Sequence, residues 1–156
     1  MSKARFRVRR GNADAILVAD LHLTESTPVS RTDDYVAAQE RKLQFLQDTS
    51  RENGNCPILC AGDVFDHWRV SPWLATWAYV HLPRPLVTIP GNHDLPMHNQ
   101  KLYSRSPLAL MEAVTDGGIT VLKGDRLLVN GLAVYGVPWG ESIPGFQPTE
   151  GEMRRV

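Results

Sequence analysis

Cysteine is almost missing from this chain: Cys56 and Cys60 are the only two among 156 residues. A lone C-x3-C without a second pair does not make a structural zinc site, so buried free thiols are expected. No apolar run approaches the roughly 20 residues that span a bilayer. The first residues, Met1-Ser-Lys-Ala-Arg-Phe-Arg-Val-Arg-Arg10, carry no apolar stretch after their charges and do not form a secretory signal. The cytoplasm is the expected compartment, with no membrane partner. Net charge is lacking too, since 17 Lys and Arg balance 17 Asp and Glu. Composition therefore does not announce a nucleic-acid binder. Neither a G-x-S-x-G elbow nor a P-loop occurs, which leaves serine-nucleophile and P-loop nucleotide chemistry without their usual motifs.

What charge there is lies unevenly. Lys3, Arg5, Arg7, Arg9 and Arg10 crowd the start, and the first acid is Asp14. Arg5, Arg7 and Arg9 alternate with Phe6 and Val8, so on a strand they share one face. Such a ridge can meet phosphates or simply keep an edge strand solvated.

The pattern along the chain alternates strand and helix. Ala13 to Asp20 is a short apolar run ending in an acid, as a buried strand would be. Thr32-Asp-Asp predicts an N-cap and acidic first turn for a helix carrying Val36, Leu43 and Leu46, stopped by Asn53-Gly54. Pro57 to Asp63 predicts a second strand. Ser71-Pro72 opens a helix through Trp73, Leu74, Trp77 and Val80, and Pro85 to Pro90 is a third strand. A further helix is expected over Pro107–Val114, closed by Asp116-Gly117-Gly118. Strands follow at Ile119–Leu122 and Arg126–Val137, the latter folded at Asn130-Gly131. This is an α/β chain, read as a single domain over residues 1–156, with crossover helices on a mostly parallel sheet and a C-terminal hairpin.

Three of the strands end in polar clusters: Asp20-Leu-His22, Gly62-Asp63-Val-Phe-Asp66 and Gly91-Asn92-His93-Asp94. Ligands of open α/β sheets bind beyond the carboxyl ends of the strands, so the clusters point to one shared site. Carboxylate, amide and imidazole donors favour manganese, iron or zinc over calcium. Asp20 and His22, two apart on an extended segment, can share an ion, and Asp63 has two oxygens with which to bridge two. Gly62 and Gly91 let the backbone turn where these groups converge.

Taken together, D-x-H, G-D-x-x-D and G-N-H-D in this order resemble the calcineurin-like metallophosphoesterase superfamily, over roughly residues 14–140. The resemblance implies a sandwich-type α/β fold and a site for two divalent ions, Mn2+ first and Fe, Zn or Mg as alternatives. Asp20 and His22 would hold the first ion, Asp63 would bridge, and Asn92 would hold the second. His93 would protonate the leaving oxygen or steady the phosphate, with Asp94 and Asp66 orienting. Gly-Asp-Val-Phe-Asp followed by Ser71-Pro72, with Ser106-Pro107-Leu108 and Tyr135-Gly-Val-Pro-Trp139, resembles more narrowly the nuclease subunit of the bacterial SbcCD double-strand-break complex and its phage relatives. In other branches a histidine stands where Asp66 is found, with His67 beside it.

The family's later ligands, a histidine and then a Gly-His-x-His pair, have no counterpart, because no histidine follows His98. The expectation is a chain incomplete at its C-terminal end, with the second ion in doubt. A partner chain or second copy completing the site, a one-ion enzyme, and a catalytically impaired binding module are the alternatives. His98 is a further candidate ligand, while His81 and the tryptophans Trp68, Trp73 and Trp77 suit packing. The expected activity is a nuclease-like phosphodiesterase on DNA, with a phosphatase or small-molecule phosphodiesterase of the same fold as the alternative.

Overall fold

The computed structural model describes residues 13–143, so the basic ridge of residues 3–10 lies outside the described residues. Four strands, β1 (Ile16–Val18), β2 (Ile58–Cys60), β3 (Leu86–Thr88) and β4 (Ile119–Val121), pair in parallel in the order of the chain. Ile16 pairs with Ile58, Ile58 with Leu86 and Leu86 with Ile119, a register in which one face stays apolar across the sheet. Each strand is shorter than its apolar run. Past β1 and β2 the chains meet again in a single parallel bridge between Leu23 and Phe65.

The crossovers run through α1 (Tyr35–Glu52), α2 (Pro72–His81) and α3 (Pro107–Val114). Steps that always go the same way, with right-handed crossovers, put every helix on one face. Accordingly α2 touches α1 on one side and α3 on the other. Between helices and sheet lies the core, with Leu43, Phe65, Leu74, Leu108 and Met111 packed on Ile58, Leu86, Ile119 and Val121. Ser71 caps α2 as Ser71-Pro72 predicts, and Ser106 caps α3 in the same way, the two accepting from Leu74 N and Ala109 N at 3.1 Å. For α1 the cap is Asp34 and not Thr32: its carboxylate accepts from Ala37 N at 3.0 Å, and the two acids precede the first turn instead of filling it. Asp33 is occupied by the Arg31 guanidinium, which leaves Asp34 as the free carboxylate at the helix start.

The other sheet face carries Leu17 and Leu59 and is open at Leu17, which is 79 % exposed. Against part of it lies a hairpin of β5 (Arg126–Val129) and β6 (Leu132–Tyr135), a separate two-stranded sheet. Its turn, Asn130-Gly131, has φ of 48° and 80°, the left-handed pair that a two-residue hairpin needs. The segment after Asp94, which the sequence leaves as loop, forms two 3-10 turns, Pro96–His98 and Gln100–Arg105. No described helix is long and apolar enough to cross a membrane.

Candidate metal centre

Beyond their last ladder residues, the chains leaving β1 and β2 stay side by side. His22 N donates to Asp63 O at 3.0 Å, Leu23 N to Val64 O at 2.9 Å, and Asp66 N to Leu23 O at 3.1 Å. This brings Asp20-Leu-His22 against Asp63-Val-Phe-Asp66. The chain leaving β3 joins them through glycines: a Cβ on Gly62 would meet Gly91 Cα at 2.9 Å, and one on Gly91 would meet Asp63 N and Oδ1 at 2.2 Å. Only residues without a side chain allow that approach. His93 N then donates to Asp63 Oδ1 at 2.8 Å, so the carboxylate is held from the neighbouring strand end.

The result is two overlapping clusters. Asp20, His22 and Asp63 offer donor atoms all within 4.8 Å of one another, and so do His22, Asp66 and His93. His22 belongs to both, and its ring meets that of His93 edge to face at 4.8 Å. His22 Nδ1 is buried with no hydrogen-bond partner. Asp66 Oδ1, 3.4 Å away, is close but outside hydrogen-bonding geometry. A buried nitrogen left so costs about 1–3 kcal/mol, and a cation among these donors would satisfy it. His93 is differently placed: its Nδ1 lies 2.6 Å from Asp66 O, a carbonyl that can only accept. Nδ1 therefore carries the proton, and Nε2 is the nitrogen left for chemistry.

Asp20, His22 and Asp63 all have positive φ, of 54°, 45° and 51°. Such backbone, uncommon outside glycine, gathers at functional sites and costs of order 1–3 kcal/mol per residue. Asp94 sits beneath the rim, fully buried, accepting from Phe65 N at 2.9 Å, Gly91 N at 3.0 Å and Val64 N at 3.3 Å. Burial pushes its carboxyl above the usual range, against the opposing pull of those three N–H groups. It thus ties the second and third strand ends together from below.

A family model of calcineurin-like phosphoesterases matches residues 15–147. The chain belongs to this family. It is therefore read as a metal-dependent phosphoesterase domain, and the paired donor clusters at the strand ends are its candidate metal centre. No curated protein matches the chain.

Within this calcineurin-like phosphoesterase, the structure brings five of the seven residues expected from sequence into the two clusters: Asp20, His22, Asp63, Asp66 and His93. Asn92 lies between Gly91 and His93, both of which touch Asp63. Asp94 is the exception and does not face the rim. His67 turns into its own loop, accepting from Arg69 N at 2.9 Å and stacking on Trp68. His98 places Nδ1 3.1 Å from the Asn92 carbonyl and leans toward Trp139. His81 stacks on Trp77, as a packing residue does. The sequence carried no signal for the Asp94 bonds or for the His98–Asn92 contact, because both depend on how the loop after β3 folds back.

Proposed function

We propose that this chain is a phosphodiesterase of nuclease type, acting on DNA with manganese in a two-ion centre. Asp20 and His22 are assigned to the first ion, Asp63 to both, and Asn92 to the second. The observation that carries the reading is the Asp20–His22–Asp63 cluster with its buried, unbonded His22 Nδ1. Oxygen and imidazole donors without thiolate suit manganese, iron or zinc. Bound there, divalent cations supply neutralisation of the ester's charge and a more acidic water.

The protein's own groups do the rest. His93, its Nδ1 proton committed to the Asp66 carbonyl, presents Nε2 to the ester and, as the doubly protonated imidazolium, donates the Nε2 proton to the departing oxygen. Asp66 holds His93 through that carbonyl and faces His22 with its carboxylate. Asp94 fixes the strand ends on which the donors stand. The narrower likeness to the SbcCD nuclease subunit supports DNA as the polymer.

Manganese-dependent hydrolysis of DNA, of an aryl phosphodiester and of an aryl phosphomonoester tests this directly. Diester and DNA cleavage are expected, lost in Asp63→Ala and reduced about 100-fold in His93→Ala, with manganese binding kept in the latter. Preference for the monoester would replace the nuclease reading with a phosphatase. Undiminished activity in Asp63→Ala would remove the assigned site.

A further inference from the structure

A groove beside the metal centre is left without a role by these assignments. It encloses about 710 Å³ between β1 and α1, the size of a site for a small organic ligand, and Asp20 forms part of its wall. Among the described residues β1 is the terminal strand of its sheet and pairs only with β2, which leaves this side of it open there. The floor is apolar, with Val18, Leu43 and Leu46, and two aromatic rings, Tyr35 and the 68 % exposed Phe45, stand over it.

Three cations line the groove: Arg31, Arg41 and Lys42. Arg31 is neutralised by Asp33, with contacts of 2.6 and 2.8 Å, and lies 4.7 Å from the centre of the Tyr35 ring. The side chains of Arg41 and Lys42 make no hydrogen bond or ion pair among the described residues. Arg41 shares the field of Asp33 with Arg31 without a direct ion pair to it, and with Lys42 it sets positive charge above an apolar, aromatic floor, which suits a ligand that is anionic along one edge and flat along the other.

We propose that this groove holds single-stranded nucleic acid leading to the phosphate at the metal centre, a reading that rests on the phosphodiesterase assignment. Arg41 and Lys42 meet backbone phosphates, and Phe45 and Tyr35 offer faces on which unpaired bases stack. This is the pairing of cationic track and aromatic platform that sequence-tolerant single-strand binding uses.

The test is anisotropy of a short labelled oligodeoxythymidine with the full chain in a chelator, so that binding is read without turnover. Arg41→Glu with Lys42→Glu is expected to weaken binding at least about tenfold and to flatten the salt dependence by about 1.4 in log–log slope, for two phosphates at roughly 0.7 each. Phe45→Ala should weaken it about fivefold or more, whereas Arg51→Glu, on the same helix but outside the groove, should not. Glutamine at both positions gives the same direction should charge reversal disturb α1, with circular dichroism as the check. Wild-type affinity and salt slope in the double variants, or no binding by the wild type, would overturn the groove. Hydrolysis of the aryl diester is scored separately: oligonucleotide binding without it keeps the groove and removes the phosphodiesterase reading.

Discussion

Asp94 shows how a polar residue can act on a site without facing it. Its carboxylate gathers the N–H groups of Val64, Phe65 and Gly91 at full burial. Asp94→Ala would leave them unpaired at about 1–3 kcal/mol each, so a loss of several kcal/mol is expected in urea unfolding. Asp94→Asn should fall between, since its amide oxygen can still accept. An alanine variant as stable as the wild type would contradict the bonding described. Cys60 makes a second residue-level test. Burial pushes its thiol up to about 11, so the folded state holds a proton that the unfolded chain releases near the ordinary value of about 8.5. Stability should then be full below about pH 8.5 and fall as pH rises toward 11. Cys60→Ala should flatten that alkaline limb in a pH series of thermal melts, and an unchanged slope would rule out this cause.

At the scale of elements, the strand ends are joined by the contact between Gly62 and Gly91. A methyl on Gly91 would fall 2.2 Å from both Asp63 N and Oδ1, so Gly91→Ala must push β2 and β3 apart at the rim. A stability loss of at least the roughly 1–3 kcal/mol of overpacking, seen as a lowered melting temperature, is expected, together with weaker manganese binding. Retention of both in a calorimetric titration would disprove the close approach. The elements themselves were largely legible in the sequence. Ser71-Pro72 marked the start of α2 and Asn130-Gly131 marked the hairpin, because each signal acts within a few residues. The α1 cap was misread because Thr32, Asp33 and Asp34 are equivalent by residue type, and the Arg31–Asp33 pair that separates them is visible only in three dimensions. The donor residues were legible for the same local reason, each motif ending an apolar run. Their left-handed backbone and the orphaned His22 nitrogen were not, since both follow from strand ends meeting across long stretches of chain.

For the molecule as a whole, the sheet is covered on its helical face and, among the described residues, partly open on the other. Leu17 is the most exposed point of that open face, beside a shallow groove of about 300 Å³ whose walls include Leu59, Val134 and Tyr135. With zero net charge near pH 7, little repulsion keeps such faces apart. Concentration-dependent light scattering at neutral pH is therefore expected, reduced in Leu17→Ser, which leaves net charge unchanged. Equal scattering from both would place the sticky surface elsewhere. A different consequence follows from the site's construction out of three strand ends. Asp63 is held by His93, thirty positions along the chain, and His22 reaches both clusters. No contiguous peptide owns this centre, and a partly folded chain has nowhere to assemble it. Metal affinity thus becomes a gauge of completed folding, and a cation captured there acts as a clasp that slows the sheet's opening.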